Sequence, residues 1–246
     1  WQEFQNPYPP IEILSPDQLD LIHNNSMRIL SEIGIKVMHS KARSILADAG
    51  AIVDAATEMV RFDPDMVMEM IAKAPSTCRI HARNSKYDLT LGGNNIIFSS
   101  VMCPPFANDL DRGRRSGTFD EMCEYVKLVH SINAVHQAGG GGFEPLDLPA
   151  ETRHLDVAYA HATLTDKTWK AWSNGQERAK DAIALAKILF SVSDDDLIAK
   201  PVLTAPINTN SPLMIDTAMA EGIMEMARVG QPLIIAPFTM AGAMSP

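Results

Sequence analysis

Apolar positions in the first hundred residues change period every ten to fifteen residues. Ser15-Pro-Asp-Gln18 reads as a helix start, with Ser15 as cap, Pro16 at the first helical position and Gln18 closing a capping box. Leu19, Ile22, Ile29, Leu30 and Ile33 follow at helical spacing until Gly34. Ser40–Ala49 predicts a second helix, and Asp63-Pro64 opens a third that runs to about Lys73. Met59–Phe62, Cys78–His81 and Tyr87–Leu91 read as strands, the last two parted by the turn formers Asn84-Ser85. The segment is α+β and carries no repeat.

From residue 94 a rhythm sets in. Strand-like apolar runs occupy Asn95–Val101, Ala134–Ala138, Thr168–Trp172, Pro201–Pro206 and Pro232–Phe238. Their midpoints lie about 38, 34, 33 and 32 residues apart, which fits a βα unit of about 30 residues or more. Capped helices fill the gaps. Thr118-x-x-Glu121 and Ser173-x-x-Gln176 read as capping boxes, Pro149 as the start of a helix through His161, and Ser211-Pro212 as the start of another that ends at Gly230. Alternating strands and helices predict a parallel sheet. No glycine fingerprint follows the first run, so a (β/α)8 TIM-type barrel is preferred to an open doubly wound sheet. The expected organisation is an N-terminal α+β layer, 1–93, and the first five βα units of an incomplete barrel, 94–246. Five strands do not close a barrel, residue 1 is Trp, and the chain stops soon after a strand, so a fragment is expected.

Composition narrows the function classes. Lys and Arg total 21 against 30 Asp and Glu, a net charge of −9. That balance, without a basic run, speaks against nucleic acid and anionic membranes. No apolar run approaches the ~18 residues of a membrane span, and no signal sequence opens the chain. Three cysteines without a C-x-x-C predict neither a disulfide framework nor a zinc finger, and fit a reducing cytoplasm.

Candidate chemistry lies where strands end. Gly139-Gly-Gly-Gly142 follows the second run, and its bare backbone would let a ligand approach or its N–H groups hold an anion; its plain reading is a turn. Asn208 and Asn210 follow the fourth run, suited to a polar or zwitterionic ligand, with helix capping as the alternative. Met102 and Cys103 end the first run, and Cys103 has no adjoining cation to activate it. His154 and His161 share a helix face that a barrel turns outward, so interface or capping roles outrank metal binding. Asp109-Leu-Asp111-Arg-Gly-Arg-Arg115 is either an anion site or a salt-bridged loop.

Several blocks in order carry a family likeness: His81-Ala-Arg-Asn84, Leu91-Gly-Gly-Asn-Asn95, Pro104-Pro-Phe106 with Asp109-Leu-Asp111 and Gly113-Arg-Arg115, Leu148-Pro149, Arg153-His-Leu-Asp156, Tyr159-Ala-His161, Asp166-Lys167, Ile207-Asn-x-Asn-Ser-Pro212, Pro237-Phe238 and Ala241-Gly-Ala-Met-Ser-Pro246. From about residue 12 onward the chain resembles the trimethylamine:corrinoid methyltransferase family, including members without pyrrolysine that act on quaternary amines such as glycine betaine. The resemblance implies a (β/α)8 barrel about twice this length. It implies methyl transfer from trimethylamine or glycine betaine to the cobalt of a corrinoid (cobalamin) carried by a partner protein, with no cofactor or metal bound directly. The pyrrolysine position belongs to the half not seen here, and no catalytic residue is carried over. A methylated ammonium favours aromatic faces, so Trp172 and Phe238, with Phe106 in the first loop, join Met102, Gly139, Gly140 and Asn208 as candidate substrate contacts; core packing is the competing role for each aromatic. A homo-oligomer is expected. The alternatives are a non-catalytic betaine-binding barrel and a TIM-barrel lyase or aldolase with an anion site at Gly139–Gly142 and Arg114 or Arg115. The latter needs a Schiff-base lysine, for which the strands offer Lys170 and Lys200.

Overall fold

A computed structural model describes residues 1–102 and 104–237. The N-terminal part forms as its local signals dictate. β1 (Phe4–Gln5) precedes α1 (Pro16–Arg28), which has the reciprocal Ser15–Gln18 capping box and runs into a wider turn over Ile29–Ile33 ended by Gly34. Then come β2 (Ile35–Val37), α2 (Ser40–Asp48), β3 (Ile52–Asp54), β4 (Met59–Arg61) and α3 (Pro64–Ala72), capped by Asp63. β5 (Thr77–Ile80) and β6 (Leu89–Gly92) make the antiparallel hairpin that the Asn84-Ser85 turn predicts.

The first apolar run divides instead of forming one strand. β7 (Asn95–Ile96) pairs antiparallel with β1, and Ser99 alone bridges in parallel to Gln137. β8 (Ala107–Asp109) and β9 (Gly113–Arg115) form a hairpin that periodicity does not reveal. There follow α4 (Phe119–Ser131), β10 (Gln137–Ala138), α5 (Arg153–Leu164), β11 (Thr168–Trp169), α6 (Gln176–Phe190), α7 (Asp194–Ala199), β12 (Ala205–Thr209), β13 (Met214–Ile215), α8 (Thr217–Arg228) and β14 (Leu233–Pro237).

Parallel pairing runs through the array in sequence order. Ser99 bridges to Gln137, β10 pairs with β11, Lys170 bridges to Thr204, and β12 pairs with β14 over five residue pairs. The fourth strand sits about four residues later than its apolar run predicts, because Val202 and Leu203 bond to the side chain of Gln231 instead of a strand. The fold is mixed α/β, and no closed barrel forms among the described residues.

Helices cover one face of the array. Ala138, Trp169, Ala171, Leu203 and Ala205 are buried with Ala179, Ile183 and Ala186 of α6, Leu197 of α7 and Met226 of α8. The alternate residues face the other way. There Gln137 Nε2 donates to Thr204 Oγ1 at 3.0 Å and to Thr168 Oγ1 at 3.4 Å, so a fully buried polar layer is satisfied within itself.

The N-terminal layer has its own small core of Val37, Ala51 and Val60. It is also stitched to the array. β13, from the connection after β12, adds in parallel to β2, with Lys36 N–H donating to Leu213 O and Met38 N–H to Ile215 O. Trp1 and Phe4 pack edge-on against the His136 ring, whose Nε2 lies 2.6 Å from Gln2 O. No helix among the described residues is long and apolar enough to cross a membrane.

Candidate functional site

A cavity of about 250 Å3 opens beside the end of β11, between α5 and α6. Gly140, Lys170 and Trp172 come from the strand ends, His154, Tyr159 and His161 from α5, and Arg178, Asp181 and Leu185 from α6. These residues are about forty positions apart in sequence, and parallel pairing of β10 with β11 is what places their loops side by side.

Two of the six candidate contacts, Gly140 and Trp172, line this cavity, and Met102 reaches Gly140 from beside it. Gly139 sits so close to the first run that a Cβ would collide with the carbonyls of Ser100 and Val101, while Ser100 Oγ receives its N–H at 2.8 Å. Gly140 has φ +93°, and a Cβ there would lie 3.5 Å from both Met102 Cε and Trp172 Nε1. Met102 and Trp172 therefore meet at Gly140, with Gly139 next to it packed on the first run. Asn208 stands apart, exposed on β12 opposite Ala236. Phe238 and Cys103 lie outside the described residues.

The glycine cluster is not an open anion cradle. All four glycines are buried, Gly141 against Met122 and Gly142 against the Tyr125 ring. Their missing side chains admit neighbours rather than a ligand. Arg114 and Arg115 do not join them. Arg115 pairs with Asp109 and Glu121 at 2.7 Å each, and the Arg114 guanidinium lies 4.1 Å from the Phe106 ring centre. The charged run is a salt-bridged hairpin, and Phe106 already faces a cation of its own.

The histidines have committed partners. His154 Nε2 lies 2.7 Å from an Asp181 carboxylate oxygen. His161, 1% exposed, faces Val157 O with Nδ1 at 2.8 Å, and burial pushes its imidazole below the ordinary range. That assigns the proton to Nδ1 and leaves Nε2 a lone-pair acceptor without a donor. His130 Nδ1 meets Thr165 Oγ1 at 3.0 Å. Among the described residues no group of three His, Cys, Asp or Glu side chains is placed to hold a metal ion.

Sequence reasoning passed over Arg178 and Asp181. Both belong to a helix whose exposed charges look like solvated surface, and a cavity between two helices leaves no local pattern. Arg178 lies over the Trp172 ring, 5.8 Å from its centre. Burial also lowers the Lys170 ammonium from its ordinary range.

The whole chain, residues 1–246, matches the family model described as trimethylamine methyltransferase (MTTB). It is 35% identical over 238 residues to a glycine betaine methyltransferase of Desulfitobacterium hafniense strain Y51, an alignment covering 97% of this chain and 49% of the other. Identity to the trimethylamine methyltransferase MttB of D. hafniense strain DSM 10664 / DCB-2 is 27%, covering 94% and 46%. A proline betaine:corrinoid methyltransferase of Eubacterium limosum is 24% identical, covering 95% and 49%. The chain spans about half the length of the curated relatives it matches.

Proposed function

Because this chain belongs to the trimethylamine methyltransferase family, we propose that the full-length protein takes a methyl group from a tertiary or quaternary methylamine, of the trimethylamine or glycine betaine type, and passes it to the cobalt of a corrinoid brought by a partner protein. The family match over residues 1–246 carries the reading. The named corrinoid acceptor of the proline betaine relative supports the choice of acceptor. The convergence of Met102, Gly140 and Trp172 at strand ends supports a site there.

The acceptor enters as a second substrate. Its reduced cobalt supplies the electron pair that bonds the methyl carbon, and the C–N pair leaves with the amine nitrogen. The protein therefore needs no nucleophile of its own. Its task is to hold an N-methyl group in line with the acceptor and keep water out. In this reading residues 94–237 supply the first strands of a (β/α)8 barrel, residues 1–93 form a layer against it, and the cytoplasmic enzyme works as a homo-oligomer.

The test uses the full-length protein, a reduced corrinoid protein, and glycine betaine or trimethylamine. Formation of the methyl–cobalt absorbance with one of them, and none without the enzyme, is expected. No methylation with either amine overturns the assignment.

A further inference from the structure

The stretch between β1 and β2 leaves the body of the molecule. Asn6 N–H donates to Asn94 O beside β7, and Leu30 O accepts the Phe62 N–H beside β4, so both ends of the stretch are pinned. Between those anchors every residue from Pro7 to Ser26 is exposed, most of α1 included. α1 itself has no buried residue. A helix of 13 residues is marginal in water on its own, and helices of that length are held by packing of one face. Here His23, Asn24, Asn25 and Ser26, all weak helix formers, fill its middle. Among the described residues nothing supplies the face that α1 needs.

The order of its residues says what kind of face that is. Leu19, Ile22, Ser26, Ile29 and Ile33 recur at alternating spacings of three and four, the stripe along which one helix packs on another. The four apolar members are 54%, 55%, 39% and 57% exposed. Ser26, at the centre, is small and spends its hydroxyl on Ile22 O at 2.9 Å, so the middle of the stripe admits close approach without stranding a polar atom. The stripe reads nearly the same from both ends. Leu19 and Ile33 are equidistant from Ser26, and Ile22 and Ile29 flank it. A surface that pairs with itself across a two-fold axis has that symmetry. Apart from His23, the charged side chains from Pro7 to Met27 are Glu12, Asp17 and Asp20, which speaks against an anionic membrane as the cover. With Ile11, Ile13 and Leu14 before the helix and Met38 after it, the exposed apolar residues amount to roughly 800 Å2 per copy, the share each partner gives to a stable interface of standard size.

We propose that α1 is the two-fold interface of a homodimer, its stripe packed antiparallel on the same stripe of a second copy with the crossing at Ser26. Leu19 then meets the partner's Ile33, and Ile22 meets the partner's Ile29. In the same direction Leu14 reaches toward the partner's Met38. Opposed helix directions also set the positive end of each α1 dipole beside the negative end of the other. Because both ends of the stretch are pinned, the stripe is presented before the copies meet, which lowers the ordering cost of association. The proposal gives a surface to the homo-oligomer of the reading above, and nothing in it depends on the methyl-transfer chemistry.

Sedimentation equilibrium of the full-length protein reads the association directly. The wild-type protein should self-associate. Ile22→Asp and Ile29→Asp should each raise the dissociation constant about a hundredfold or more, since each change occurs twice across a two-fold axis. Ile52→Asp, at an equally exposed apolar residue of β3, should leave it unchanged. Cysteine cross-linking fixes the direction and does not rely on how well the aspartate variants fold. Under a mild oxidant Ser26→Cys should link to itself, and Leu19→Cys should link to Ile33→Cys in a mixture but not to itself. A monomeric wild-type protein overturns the proposal. So does association that survives both Ile22→Asp and Ile29→Asp, which would put α1 under a later part of its own chain. Self-linking of Leu19→Cys means a parallel pair and overturns it too. Association and cross-linking as stated, with no methyl transfer to the corrinoid protein from either amine, keep the interface and remove the enzymatic reading instead.

Discussion

Lys167 is 1% exposed, yet its ammonium donates to three carbonyls: Val129 O at 2.8 Å, Ile132 O at 2.8 Å and Val135 O at 2.7 Å. The side chain ties off the end of α4, whose last carbonyls have no partner within the helix. Lys167→Met should leave the Val129 and Val135 carbonyls without this donor, while Ile132 O keeps the Val135 N–H, at a cost of about 3 kcal/mol read from the urea midpoint. Burial pushes this ammonium down to about 8, whereas an unfolded lysine titrates near ~10.4. Between those values the unfolded chain holds more protons than the fold, so stability gained from this group rises with pH across the window. The wild-type protein should show that rise between about pH 8 and 10, and Lys167→Met should show less of it. An identical slope in both proteins excludes Lys167 as its source. Nothing near Lys167 in sequence announces the role, because its acceptors lie more than thirty residues upstream. That Gly140 and Trp172 would lie close together, in contrast, was legible, since a residue just past a strand end is placed by the strand itself.

At the scale of elements, the self-closing caps of α1 and α4 were readable, whereas the cap completed from afar at α6 and the local caps of α7 and α8 were not. Ser15 with Gln18 and Thr118 with Glu121 form both arms of their boxes. Ser173 with Gln176 does not. α6 begins at Gln176 behind Gly175, and Glu221 of α8 accepts the Gln176 N–H at 3.0 Å. Pro149 likewise precedes α5 by a turn, and the helix proper starts at Arg153. The helix placed at Ser211-Pro212 starts instead at Thr217 behind the Asp216 cap, because β13 is drawn into an extended pairing with β2. α7, with its Ser193–Asp196 box, hides behind the longer α6. Glu121 shows what a complete cap gains. Arg115, the Thr118 N–H and Arg112 hold its carboxyl down to about 2. Its contribution is present above the ordinary carboxylate range and is lost as pH falls toward 2. Acid unfolding of Glu121→Gln should therefore be shallower than that of the wild-type protein between about pH 4 and 2. Superimposable acid transitions exclude the carboxyl from the acid response.

For the molecule as a whole, the spacing of apolar runs was enough to order the parallel strands, since each βα unit carries its own periodicity. The division expected at residue 93 is bridged by hydrogen bonds. Hydrogen bonds cross it at Lys36, Met38 and His81, whose N–H donates to Pro201 O at 2.8 Å. Arg83 crosses it too, reaching Asp166 and the carbonyl of Thr165. Layer and array should accordingly unfold together. Amide exchange in peptides covering residues 35–61 and 203–209 should lose protection at one urea concentration. Two separated losses would mark independent folding units.

The pairing of β13 with β2 has a mechanical side. Asn210 N–H and Met214 O join at 2.7 Å, and the Asn210 side chain clasps Asp216 at 3.0 Å, so the connection after β12 is braced at both ends. One end of the brace continues into the strand that carries Asn208, the other into the sheet of the N-terminal layer. That corner works as a strut rather than a hinge. A displacement of the layer's sheet should therefore be felt at Asn208 through continuous backbone pairing rather than absorbed in a loose loop.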